Sequence, residues 1–307
     1  VTGSALAAAT APPPAPPRWY RHGLNRVAAY RAAALAGAAL PRRTRLALGR
    51  ALGRALARAL PAERGAVRRN LWRVLGGPDA ATLDRAVAET FAQFGACFSD
   101  LVTLNRGAAG RLPAVVTAAS GEGHLDAATG AGRGVILLTA HLGNWELGGR
   151  LLVPRLGRRT HVVLSAEQDR DVERYLRADG PDLRFVTRRH PRSSLALYAA
   201  LRRREVVAMQ GDRPTGDRGD VAVPFFGAPA RFPLGPFVLA RATGAPVVPA
   251  FCVLDGGDGY RIEIAPPIPV GPGGEPAALG RMVAALETAV RAWPTQWFNF
   301  FDVWEPR

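Results

Sequence analysis

No lysine occurs in this 307-residue chain, and all 40 basic residues are arginine. That absence excludes a Schiff-base or pyridoxal-phosphate enzyme held by a lysine. It also excludes a Walker A loop, whose lysine reaches the phosphates. Cysteine is scarce as well. Cys97 and Cys252 lie far apart and away from paired histidines, so they form neither a disulfide framework nor a zinc pattern. They read as small buried hydrophobes of a reducing compartment. The six serines include none in a Gly-x-Ser-x-Gly elbow, which argues against an elbow-type hydrolase. Long apolar runs are missing too. The longest charge-free helical stretch, Ala32 to Leu40, is under half of the ~20 residues that cross a bilayer. A cleavable leader is not expected, because the basic region follows the Ala/Pro tract rather than preceding an apolar one.

What is present is charge of one sign in one place. Residues 18–73 hold 14 arginines against Glu63, a net of +13 in a chain of net +15. An apolar fraction of 48% leaves ample material for a core and excludes global disorder. Three regions are expected. Residues 1–17, rich in Ala and Pro, read as a disordered tail. Residues 18–78 read as basic membrane-associating helices, and 79–307 as the catalytic α/β domain.

Helical segments are expected near 19–39, 43–60, 62–75 and 79–103. In the second, Leu48, Leu52, Leu56 and Leu60 recur every four residues, as do Arg50, Arg54 and Arg58. At 100° per residue the two rows fall on opposite faces. A basic amphipathic helix suits an anionic membrane surface; packing of the leucines on the main domain is the plainer alternative. From about residue 112, short apolar runs alternate with helical segments. Strands are expected at Val115–Thr117, Val135–Thr139, His161–Leu164, Leu183–Val186, Val206–Met209, Val247–Val253 and Tyr260–Ile264. Helices are expected near 123–131, 144–154, 170–178, 193–203, 233–243 and 275–292. The alternation indicates an α/β fold, a central mixed sheet flanked by helices.

One segment concentrates chemistry, Val135-Ile-Leu-Leu-Thr-Ala-His141-Leu-Gly-Asn144-Trp-Glu146. An apolar strand runs into a histidine, Gly143 and Asn144 supply a turn and a helix cap, and Glu146 falls in the first helical turn. On one continuous helix, positions five apart diverge by about 140°; the break lets Glu146 swing back toward His141. A carboxylate on one imidazole nitrogen fixes the tautomer and frees the other nitrogen to accept a proton. The end of a strand in an open α/β sheet is where such sites sit.

His141-x4-Glu146 within Thr139-Ala-His-Leu-Gly-Asn-Trp-Glu146 resembles the signature of the glycerolipid acyltransferase superfamily. The match is to the branch holding the late lipid A acyltransferases and the phosphatidylinositol mannoside acyltransferases. Val206–Pro214, Val223-Pro-Phe-Phe-Gly227, Pro233–Pro236, Gly244–Pro249 and Arg69-Asn70-Leu71 resemble further blocks of that branch. The resemblance implies O-acyl transfer from an acyl thioester, on acyl carrier protein or coenzyme A, to a lipid hydroxyl, with no metal or redox cofactor. The acceptor it implies is a lipid A precursor or related glycolipid, with a phosphatidylinositol mannoside or lysophospholipid as alternatives.

By the same resemblance His141 is the general base and Glu146 holds its ring. Asp212, Arg213, Asn144 and Arg170 are the candidate substrate-binding residues, Asp212 as a supporting carboxylate and Arg213 as a donor to phosphate or sugar. Phe225, Phe226 and Phe232 are candidate acyl-channel residues. The basic segment points to the inner face of the cytoplasmic membrane, peripherally or shallowly held. A nucleic-acid partner is disfavoured, since the arginines are not interleaved with aromatic residues. A non-catalytic lipid-binding protein is opposed by the intact His141/Glu146 pair.

Overall fold

A computed structural model describes residues 31–104, 115–164, 182–188, 192–216, 219–256 and 258–305, apart from positions 32, 33, 36 and 38. Three helices come first: α1 (Arg42–Ala59), α2 (Pro61–Val74) and α3 (Ala80–Leu104). Strand–helix alternation follows, through β1 (Val116–Ser120), α4 (Glu122–Gly130), β2 (Val135–Thr139), α5 (Trp145–Leu156), β3 (Thr160–Leu164) and β4 (Leu183–Thr187). Next come α6 (Ser193–Arg202), β5 (Val206–Gln210), β6 (Asp220–Phe225), β7 (Ala228–Pro233) and α7 (Gly235–Thr243). The chain closes through β8 (Val247–Leu254), β9 (Tyr260–Ile264) and α8 (Glu275–Ala292).

Seven strands form one sheet in the order β1-β9-β8-β2-β5-β3-β4; only β8 and β9 pair antiparallel. The central strands are buried on both faces, as parallel sheets require. Every residue of β8 and the first four of β2 are buried. Each expected strand is present, to within one residue at its ends except for β1, which runs three residues further, to Ser120. The β6–β7 hairpin was not expected from the sequence. Its Pro-rich runs, Asp220–Phe225 and Ala228–Pro233, lack a clean alternation, and they pair only with each other. The expected tail at 1–17, most of the helix at 19–39 and the helix at 170–178 lie outside the described residues.

Helix α1 packs along α3 through glycine. A Cβ at Gly53 would sit 2.0 Å from the Phe91 carbonyl oxygen, and one at Gly49 would sit 2.6 Å from that of Gly95. Backbones this close leave no room for side chains between them. The buried residues of α1 are therefore Leu46, Gly53 and Ala57, while Leu48 and Leu52 stay 55% and 64% exposed. Of the two arrangements open from the sequence, the leucines do not pack on the domain at these two positions. Both are exposed to solvent, as are Arg43, Arg54 and Arg58 elsewhere on the helix.

Candidate active site

Strand register creates the central contact. In the parallel β2–β5 pair, Thr139 lies opposite Gln210. Two residues beyond each come His141 and Asp212. Their side chains meet with Nδ1 of His141 2.7 Å from Oδ1 of Asp212. The pair sits where β2 has β5 on one side and β8 on the other, the switch point at which open α/β sheets bind ligands.

Asp212 is fully buried. Its Oδ2 accepts from Asn299 Nδ2 at 3.1 Å and from Trp297 Nε1 at 3.3 Å. Burial opposes ionisation, but the imidazole, Arg213 and the Asn299 amide outweigh it and hold the carboxyl well below its usual range. An ionised carboxylate only accepts, so Nδ1 of His141 carries the proton and Nε2 keeps its lone pair. Burial, followed by the positive charge of Arg213, lowers the His141 pKa; Asp212 and Glu146 pull the other way. The net result is a neutral imidazole at neutral pH.

Here the structure corrects the reading of the motif. The carboxylate on Nδ1 belongs to Asp212, 71 residues away in sequence, not to Glu146. The break at Gly143–Asn144 starts α5 at Trp145, which directs Glu146 into a neighbouring cavity. From there its charge favours the protonated imidazole through space. Asn144 is corrected as well. It is buried and caps α5, its Oδ1 accepting from Leu147 N at 3.3 Å. Its Nδ2 donates to the Cys97 carbonyl and the Tyr260 hydroxyl, so it builds the motif from within instead of facing substrate. Gly143 has φ +62° and a Cβ there would lie 2.1 Å from the Cys252 carbonyl oxygen; only glycine lets the turn pass so close.

Arg213 donates through Nε to Asn299 Oδ1 and through Nη2 to the Phe298 carbonyl, both at 2.8 Å. It thus holds the segment that follows α8 against the site. Arg170 lies outside the described residues. Phe225 and Phe232 are buried in the core, and Phe225 packs against Phe226, Phe232, Trp297 and Trp304. None of the three phenylalanines lines the cavity beside the motif, because the β6–β7 hairpin turns them into the protein.

That cavity runs under α5 and across the sheet. Leu137, Leu152, Val162, Leu164, Leu183, Phe185, Ala208 and Phe251 give it apolar walls, and Thr139, Glu146, Arg150 and Gln210 are its polar lining. Trp145, which also lines it, packs against the His141 ring at 4.8 Å between centroids with the planes tilted by 59°. Both thiols are buried, and burial pushes Cys252 up to about 12, so neither serves as a nucleophile at neutral pH.

Trp297 and Asn299 are not among the residues that the sequence singles out for the site. A usable signal did exist in Arg69-Asn70-Leu71. Asn70 Nδ2 donates to the carbonyls of Asn299 and Phe301, and its Oδ1 accepts from Val303 N. Arg69 pairs with Asp302 at 2.6 Å. This early motif therefore clamps the late segment that completes the site.

The family model described as bacterial lipid A biosynthesis acyltransferase matches residues 23–305. The chain belongs to this family. It is an acyltransferase of the lipid A and phosphatidylinositol mannoside type. A phosphatidylinositol mannoside acyltransferase of Mycobacterium tuberculosis H37Rv is 31% identical over 245 residues, covering 78% of this chain and 76% of the relative. One from Mycolicibacterium smegmatis is 28% identical over 248 residues, covering 78% of each chain. The acyltransferase motif, the cavity beside it and the helical clamp all fall inside the family match.

Proposed function

We propose that this acyltransferase moves a fatty acyl group from an acyl thioester to a hydroxyl of a mannosylated phosphatidylinositol. The observation that carries the chemistry is the His141–Asp212 pair beside a largely apolar cavity that Trp145 and Glu146 help to line. Nε2 of His141 takes the proton from the acceptor hydroxyl as the oxygen attacks the thioester carbonyl. The C–S bond then breaks, and the imidazolium returns the proton to the leaving thiolate. Asp212 stabilises the transient imidazolium and fixes its tautomer. The cavity holds the acyl chain, whose burial supplies about 0.8 kcal/mol per methylene.

The acceptor follows from the relatives, which act on phosphatidylinositol mannosides by name. The family description favours a second acceptor, a lipid A precursor. No helix among the described residues is long and apolar enough to cross a membrane. Attachment to an anionic leaflet through the exposed leucines and arginines of α1 fits that observation, with the acceptor reached from the cytoplasmic side.

The test is an acceptor panel. Purified protein receives a long-chain acyl-CoA or the matching acyl-carrier-protein thioester, with either a phosphatidylinositol mannoside or a lipid A precursor. Mass spectrometry reads the product. A mannoside gaining one acyl mass is expected. Acylation of the lipid A precursor alone would overturn the acceptor, and the preferred thioester identifies the donor.

A further inference from the structure

Asn144, between His141 and Glu146, is held from behind by a buried polar chain that reaches the basic helix α1. Its Nδ2 donates to the Tyr260 hydroxyl at 2.9 Å. That hydroxyl donates to Oδ2 of Asp100 at 3.0 Å. Asp100 is fully buried and is met from the far side by Arg42 Nη2 at 2.5 Å and Arg45 Nη2 at 3.7 Å. Arg42 also lies over the Tyr260 ring, 5.6 Å from its centroid. Four elements are joined: α1, α3, the start of β9 and the cap of α5.

A carboxylate this deep is costly unless paired on every side, and a tyrosine buried among apolar neighbours needs a partner for its hydroxyl. Simple docking of α1 on α3 needs neither group, since the glycine contact already joins those helices. What the chain adds is a fixed position for the Asn144 amide. That amide sets the first turn of α5 and the turn that carries His141.

We infer that Asp100 and Tyr260 are positioning residues for the acyl transfer. Through Asn144 they fix the His141 turn, and through Arg42 and Arg45 they tie it to the seating of the amphipathic helix. The inference rests on the general-base reading of His141. Neither residue touches substrate, so their loss lowers turnover and leaves substrate binding alone.

Tyr260→Phe removes one oxygen and keeps the ring, while Asp100 retains its arginines and Asn144 retains the Cys97 carbonyl. In acyl transfer with saturating donor, kcat is expected to fall on the order of ten-fold with KM for both substrates unchanged, as for a displaced catalytic group. Arg42→Gln is expected to lower kcat in the wild-type background and to have little further effect in the Tyr260→Phe background, because both act along one path. A Tyr260→Phe protein with wild-type kcat overturns the inference, and so does full additivity with Arg42→Gln. If Arg42→Gln does not fold, the kcat and KM of Tyr260→Phe decide alone. Absence of turnover in the wild-type protein would count instead against the proposed reaction.

Discussion

Asp212 meets His141 because each stands two residues past a register pair of neighbouring parallel strands, Thr139 opposite Gln210. Parallel pairing sets that correspondence, and the buried Asp212 then has its other oxygen filled by Trp297 and Asn299. The imidazole is thus oriented by the sheet and a clamped late segment, not by its own helix.

A first consequence separates the two carboxylates. Asp212→Asn is expected to lower kcat by on the order of 10²–10⁴, because an amide leaves the imidazolium without its counter-charge and permits the wrong tautomer. Glu146→Gln is expected to lose less, since Glu146 acts through space. Steady-state rates of the two variants check the order; a larger loss at Glu146 would return the orienting role to it.

The pH profile provides another check. Burial and Arg213 hold the His141 pKa below its ordinary value, near 6.5 for an unperturbed imidazole. The base is active when neutral, so activity falls as pH drops through this lowered value, and the acid limb of kcat/KM lies below about 6.5. Arg213→Gln removes a positive neighbour, eases protonation and is expected to move that limb to higher pH. An unchanged limb would contradict the assigned electrostatics.

The proposed membrane attachment is testable on α1. Leu48 and Leu52 are 55% and 64% exposed, so Leu48→Ser with Leu52→Ser leaves the core intact. Each leucine contributes about 1.5–3 kcal/mol when buried in a membrane, and each arginine near anionic lipid about 1 kcal/mol. Co-sedimentation with anionic vesicles is expected to drop sharply for the double variant. Arg43, Arg54 and Arg58 changed to Gln are expected to reduce both binding and its salt sensitivity. Wild-type sedimentation by both variants would place attachment elsewhere.

The α1–α3 contact tolerates nothing larger than glycine. Gly53→Ala places its methyl 2.0 Å from the Phe91 carbonyl oxygen, so the helices must separate, at roughly 1–3 kcal/mol for overpacking. Urea unfolding is expected to show this loss, and an unchanged midpoint would mean that the helices part freely.

Much of this was legible in the sequence, and what was not has a common cause. Apolar runs such as Val135–Thr139 and Val247–Leu254 announce buried strands because strand burial is a local pattern. His141 stood out for the same reason, as strand, turn and cap are contiguous. Asp212 was placed at the site as a supporting carboxylate, but its pairing with His141 was not legible, because register between β2 and β5 is a non-local property; Glu146 was the nearest carboxylate in sequence but not in space. The phenylalanines of the Val223–Gly227 block were apolar enough for a channel, yet the hairpin turns them into the core. Leu48 and Leu52 looked equally suited to packing or to a membrane. Gly49, Gly53 and Gly95 leave both leucines exposed instead of packed, and glycine pairing across two helices leaves no periodic trace.

The central claim is that His141, set by Asp212, takes the proton from the acceptor hydroxyl. It is tested most directly by single-turnover acyl transfer with wild-type protein and His141→Ala at saturating substrates. The account predicts a rate lower by on the order of 10²–10⁴, with donor and acceptor affinities and the unfolding transition unchanged. A His141→Ala protein that transfers the acyl group at the wild-type rate would contradict it.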